Sequence, residues 1–249
     1  MMASNTDHLL AVEGLTVSFD GFRAVDDLSF YLDRGEIRVV IGPNGAGKTT
    51  VLDLICGRTQ ATAGSIRFEG AELTRMKEHQ IVRAGVGRKF QTPSIYEDLT
   101  VFENLELSFP RGRSVFGAFA FRRDAEVSGQ VEEVARSVFL HDHLDRSAGV
   151  LSHGQKQWLE IGMLLIQDPA LLMLDEPVAG MSVSERAKTA ELLRRIIQRR
   201  SVLVIEHDMG FVESIADKVM VLHQGRVISE GSIAHVKADR RVVDVYLGH

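Results

Sequence analysis

Between Leu9 and Leu32 apolar and polar positions alternate, as in Leu15-Val17-Phe19 and Leu28-Phe30-Leu32, and Asp20-Gly21 interrupts the alternation with a hairpin signal. The period of two predicts antiparallel strands. Asp33-Arg34-Gly35 turns the chain into Ile37–Ile41, a short run without alternation, and Ala170–Asp175, Ser201–Glu206 and Lys218–Leu222 have the same character with helical patterns between them. Such runs predict parallel strands buried on both faces, with ligands at their carboxyl ends. Val51–Cys56 reads as a helix closed by Gly57, Ser65–Phe68 as a strand after Gly64, and Met76–Ala84 as a helix stopped by Gly85. Gln224-Gly225 predicts a last hairpin into Val227-Ile228.

From Gln91 to about Ile166 the strand signal fades, and helices and loops predict a helical subdomain, about 92–166, inserted in an α/β core. Thr100 and Glu103 form a capping box that opens a helix through Leu107, and Val131, Val134, Ala135 and Val138 make an apolar helical stripe. Phe116, Phe119 and Phe121, flanked by arginines, admit two readings: a loop tucked onto the subdomain core, or a docking patch for a partner. No repeat, low-complexity tract or linker divides the chain, so residues 1–249 read as a single domain.

Composition narrows the class without naming a function. Hydrophobic content of 45% and charged content of 25% are those of an ordinary globular domain, and a net charge of −5 argues against nucleic acid as the main partner. The lone Cys56 excludes an internal disulfide and reads as core packing on its helix. Met1–His8 lacks the apolar core of a signal peptide, and the longest apolar runs fall far short of the about 20 residues of a membrane helix.

The chemistry concentrates after the Ile37–Ile41 run. In Gly42-Pro43-Asn44-Gly45-Ala46-Gly47-Lys48-Thr49-Thr50, glycines at the first and sixth positions let successive N–H groups turn toward phosphate oxygens. Lys48 then reaches the terminal phosphates, the Thr49 hydroxyl suits Mg²⁺, and the helix aims its positive end at the same charge. Leu171–Leu174 ends in Asp175 and Glu176, on the strand edge that also carries the loop. Asp175 is therefore a candidate for the Mg²⁺ shell and Glu176 for the general base that polarises water. Gln91 is a candidate for contact with Mg²⁺ or that water. His207, directly after a buried strand, is a candidate for the γ-phosphate. His141 and His143 read as a solvated loop, with no third metal ligand apparent nearby. Ser152 and Gln155 form a capping box, and Gly154 permits close backbone approach, so this helix start suits a phosphate supplied by another subunit; the plainer reading is ordinary capping of the helix that carries Trp158.

Together these stretches resemble the nucleotide-binding subunit of an ABC transporter over essentially the whole chain. The order carries the likeness: an aromatic (Phe19), Walker A (Gly42–Thr50), Q-loop (Gln91), signature (Leu151–Gln155), Walker B with its glutamate (Leu171–Glu176) and switch histidine (His207). The resemblance implies a P-loop NTPase core with a mainly parallel sheet, an antiparallel β-subdomain and the inserted helices. It implies ATP and Mg²⁺ between Walker A of one subunit and the signature (Ser152, Gly154, Gln155) of another, permease partners at the cytoplasmic membrane face, and a periplasmic binding protein acting indirectly. Phe90–Pro93, Leu99–Leu105 and Glu206–Met209 are similar to the branched-chain amino acid and amide importers, and Leu151–Gly162 with Pro177–Met181 to the urea branch. Two residues depart from the pattern, His153 in the signature and Ser182 where many relatives carry the D-loop aspartate. That branch commonly pairs two different ATPases, so a heterodimer is expected in the cell. An ABC ATPase of a non-transport assembly is the alternative.

Overall fold

The computed structural model describes residues 8–89, 94–110 and 125–247. In chain order the first elements are β1 (Leu10–Phe19), β2 (Phe22–Leu32), β3 (Ile37–Ile41), α1 (Lys48–Ile55), β4 (Ala63–Phe68), β5 (Ala71–Glu72), α2 (Glu78–Arg83) and β6 (Val86–Lys89). Among the described residues α3 (Val101–Leu107), α4 (Ala125–Ser137) and α5 (His153–Leu165) follow. The remainder is β7 (Leu171–Asp175), α6 (Val183–Ile196), β8 (Ser201–Ile205), α7 (Met209–Ile215), β9 (Lys218–His223), β10 (Arg226–Gly231), α8 (Ile233–Ala238) and α9 (Arg240–Leu247).

The alternating N-terminal segment forms an antiparallel sheet in the order β2-β1-β4-β5, and the continuous apolar runs form a second sheet in the order β10-β9-β3-β8-β7-β6. In the second sheet only β10 runs antiparallel to its neighbour, closing the hairpin at Gln224-Gly225. Every residue of β3, β7 and β8 is buried, the physical reason these strands show no alternation. Side chains still alternate in destination. Ile37, Val39 and Ile41 join Leu172, Leu174, Val202 and Val204 under the helices of one face, while Val40, Leu171, Met173 and Leu203 join α1 and the antiparallel sheet on the other. Each such side chain contributes roughly 1.5–3 kcal/mol of burial, so the parallel sheet is the rigid part from which loops are hung.

One polar residue breaks the apolar run of β3. Arg38 is 1% exposed, and its guanidinium donates to Glu36 at 2.7 Å and Glu230 at 2.6 Å, two carboxylates that neutralise it in place. Glu36 in turn is held by Lys218 at 3.3 Å.

Two readings need adjustment, and one strand carries no signal in the sequence. Val86–Lys89 is a strand, paired in parallel with β7, although its Gly and two basic residues carry no strand pattern; partnership with a wholly buried neighbour overrides its weak propensity. The helix expected over 76–84 is limited to Glu78–Arg83, because Lys77 is extended and serves as its cap. Cys56 packs against the core as expected, half-buried just past the end of α1, with the Arg88 guanidinium donating to its sulfur at 3.1 Å. His141–His143 forms a 3₁₀ turn in which His143 is half-buried rather than solvated. The segment with Phe116, Phe119 and Phe121 lies outside the described residues. Among the described residues no helix is long and apolar enough to cross a membrane.

Candidate functional site

The loop after β3 is shaped by backbone contacts that only glycine permits. Gly42 has φ +152°, and a Cβ there would fall 2.2 Å from the Leu222 carbonyl oxygen of β9. Gly47 has φ +97°, and its Cβ would meet the Ala24 carbonyl oxygen at 2.4 Å, so this glycine presses the loop against β2. The helix that follows, α1, has no side-chain N-cap and no acidic residue in its first turn, leaving its N–H groups and positive dipole end for a ligand. A Gly47→Ala chain combines left-handed strain with a backbone clash. It is expected to lose roughly 2 kcal/mol or more of stability together with most ATP affinity, measurable by thermal melting and nucleotide titration.

Above the loop lies a cleft of about 310 Å³, lined by residues 44–50, by Asp175 and Glu176 from the end of β7, and by Phe22 and Ala24 from β2. Phe19 is not among the residues that line it. It sits directly across the hairpin, its Cα paired with that of Phe22, and the two residues are 49% and 66% exposed. Facing residues of an antiparallel pair share one side of the sheet, so the Asp20-Gly21 turn already implied that Phe22 accompanies Phe19.

Lys48 folds back on the loop, its ammonium donating to the carbonyls of Gly42 at 2.8 Å and Pro43 at 3.0 Å. Burial lowers its pKa, and the carboxylates of Glu176 and Asp175 act in the opposite sense. Thr49 Oγ1 donates to Asp175 Oδ2 at 3.3 Å, while Asp175 Oδ1 is buried without a partner. Asp175 is 2% exposed, and burial raises its pKa above the ordinary carboxylate range despite the Thr49 bond. An orphaned carboxylate oxygen beside a hydroxyl fits Mg²⁺, a cation that takes one or two protein ligands and completes its shell with phosphate and water. Among the described residues no group of three His, Cys, Asp or Glu is placed to hold a metal ion. Bound there, Mg²⁺ would neutralise charge on the phosphate oxygens.

Glu176 follows β7 in the left-handed region, φ +48°, with its N–H held by the Ile205 carbonyl at 3.0 Å. Its carboxylate is thereby turned toward the end of β8, where His207 Nδ1 lies 3.4 Å from Glu176 Oε1. Glu206, 1% exposed, braces this corner: its carboxylate accepts from the backbone N–H groups of His207 at 2.9 Å, Asp208 at 3.2 Å and Val178 at 3.4 Å. Burial raises the Glu206 pKa. Asp208 then caps α7 through Phe211 N–H at 2.9 Å and pairs with Arg186 of α6. Glu206 is a positioning residue that strand periodicity alone does not reveal.

Gln91 lies outside the described residues, but both flanks of its segment are tied to one side chain. Glu160 of α5 lies 3.4 Å from the buried Lys89 ammonium and accepts from Ser94 N–H at 3.2 Å. Ser152, Gly154 and Gln155 do not line the cleft. Ser152 caps α5 reciprocally with Gln155, at 3.2 Å and 3.0 Å, and its hydroxyl donates to Glu185 Oε1 at 3.2 Å. His153 Nε2 lies 3.0 Å from the Ala179 carbonyl, so the departure from the usual signature is a tie to the segment after β7.

A phosphate loop, a magnesium-type pair and a Glu–His couple thus meet at one sheet edge, and the sequence pattern of the ABC transporter family matches residues 25–179. The chain belongs to the ABC transporter family. High-affinity branched-chain amino acid transport ATP-binding protein BraF of Pseudomonas aeruginosa is 36% identical, over 96% of this chain and 98% of that protein. Its counterpart LivG of Escherichia coli is 34% identical over the same shares. Among solved structures, an ATP-binding cassette of an ABC transporter in its ADP conformation superposes with a TM-score of 0.86 at 30% identity, covering 97% of this chain and 99% of the other. A nucleotide-free cassette gives 0.84 at 29% identity, covering 97% and 100%. The chain is therefore an ATP-binding ATPase of the ABC type, and the α/β core with its antiparallel sheet is the cassette fold.

Proposed function

We propose that this ABC ATPase energises an importer of branched-chain amino acids or a related amide such as urea, through permease subunits at the cytoplasmic membrane face. The observation that carries this reading is likeness to transport ATPases along nearly the whole chain, 96% of it, rather than over the motifs alone. In this reading Mg²⁺ is held by Thr49 and Asp175, with Gln91 approaching from the helical insertion at about 92–166. Phe19 and Phe22 supply an aromatic wall for the base. Glu176 polarises the attacking water, and His207, held by the Glu206 brace, faces the γ-phosphate. Walker A then forms half a site, completed by Ser152, Gly154 and Gln155 of a second ATPase, which in the cell is a different subunit. The bare cleft over the loop supports this, since none of the three residues lines it in its own chain. A periplasmic substrate-binding protein delivers the solute without touching the ATPase.

The test is co-purification from the native membrane, followed by reconstituted uptake of leucine and of urea. Permeases and ATP-dependent uptake of one solute are expected. Recovery with cytosolic machinery alone would instead support the non-transport assembly. Within the complex, Ser152→Ala is expected to leave ATP binding at Walker A intact and to cut turnover about 10²-fold or more, read from phosphate release.

A further inference from the structure

The hydroxyl of Ser152 has one proton, and in this structure it is already engaged. Ser152 Oγ accepts the Gln155 N–H at 3.2 Å and donates to Glu185 Oε1 at 3.2 Å. The Glu185 carboxylate reaches this place from α6, where its other oxygen accepts the N–H and the hydroxyl of Ser182 at 2.9 Å and 2.8 Å in a reciprocal capping box. It lies so close over the start of α5 that a Cβ on Gly154 would fall 2.3 Å from Oε1. A carboxylate thus takes the hydroxyl proton and crowds the backbone approach over Gly154 that a phosphate of the partner's ATP needs.

We propose that Glu185 is an internal stand-in for that phosphate, an autoinhibitory contact that holds Ser152 in reserve until nucleotide carried by a second ATPase displaces it. The inference rests on the reading that Ser152 completes the partner's site. Two physical facts make the states exclusive. A single hydroxyl proton cannot be donated fully to carboxylate and phosphate at once, and the two anions repel if both stand over the same helix start. Donors from Ser182 keep Glu185 ionised, with its pKa below the usual range. His153, beside it, ties the start of α5 to the Ala179 carbonyl. Closure therefore requires the Glu185 side chain to swing away from Ser152, and the capping box on Ser182 can persist through its second oxygen while it does.

The test uses the full chain carrying Glu176→Gln, alone and mixed with the second ATPase that co-purifies with it, and measures the ATP concentration at which the dimer half-forms. Glu185→Gln preserves a capping residue for α6, because glutamine serves that position as well as glutamate, but removes the charge over Ser152. It is expected to lower the half-forming ATP concentration about tenfold, the size of one charge-assisted hydrogen bond. In the chain with Glu176 intact it lowers KM for ATP more than it changes kcat. Ser182→Ala, which loosens the same helix start without touching Ser152, is expected to show no such drop. An unchanged or higher ATP requirement in Glu185→Gln, or an equal drop in Ser182→Ala, overturns the stand-in. Ser152→Ala separates the two levels: if it abolishes ATP-dependent dimerisation while Glu185→Gln has no effect, only the stand-in fails. If dimerisation survives Ser152→Ala, or no variant dimerises with ATP, the completed-site reading fails and the stand-in with it.

Discussion

The Glu176→Gln chain is expected to bind ATP as tightly as the parent and to hydrolyse it about 10²–10⁴-fold more slowly, the range for loss of a positioned general base. The substitution keeps size and one acceptor oxygen but removes the basic site. The contacts of that carboxylate, with His207 at 3.4 Å and with the charge of Lys48, belong to the site rather than to the core. Glu176 is about one-third exposed at the end of β7, and its backbone, not its carboxylate, is what Ile205 holds. The loss should therefore appear in kcat, with folding and nucleotide affinity retained. Phosphate release under saturating ATP and equilibrium nucleotide binding measure the two halves, and near-normal turnover would remove Glu176 from the role of base.

Asp175→Asn is expected to move activity and stability in opposite directions. The carboxylate of Asp175 is 2% exposed, one of its oxygens has no partner, and burial raises its pKa, so at neutral pH its charge costs the metal-free protein stability. Asparagine retains the acceptor for Thr49 without the charge. The metal-free variant should gain about 1–2 kcal/mol, roughly 2–8 °C in Tm for a chain of this length, while Mg²⁺-dependent hydrolysis is lost. The pH dependence has a definite sign. Because the folded pKa is raised, the penalty in the parent is complete above that value and disappears as pH falls to the unfolded carboxylate range, so the Tm advantage of the variant closes in the same window. Melting curves across that range, without metal, check it; a lower Tm for Asp175→Asn at neutral pH contradicts the cost of the buried charge.

These two neighbours show how unevenly the site is legible. That Asp175 and Glu176 end a buried strand follows from four apolar residues and two acids in a row. That they differ in burial, one nearly sealed and one about a third exposed, follows from the left-handed turn at Glu176, which no composition rule requires of glutamate. Phe22 was legible in principle from the pairing across Asp20-Gly21. Glu185 was partly legible, since Ser182-Val183-Ser184-Glu185 spells a capping box, but its reach to Ser152 across 33 residues was not. Glu206 and Val86–Lys89 were hidden for a common reason: a buried acid and a glycine-bearing basic strand contradict local preference and are stable only through neighbours far away in sequence.

By itself the sequence determined the apolar strands Ile37–Ile41, Leu171–Asp175 and Ser201–Ile205, the capped starts of α3 and α5, and that a phosphate loop precedes α1, because hydrophobic period, caps and glycine freedom act within a few residues. The tertiary structure alone decided which strand ends meet. The order β3-β8-β7 brings Thr49 to Asp175 across 126 residues and sets His207 beside Glu176. It also laid α6 against the start of α5, so that Glu185 closes on Ser152. Sheet order is chosen by packing two apolar faces at once, a global balance of burial that no local stretch of residues encodes.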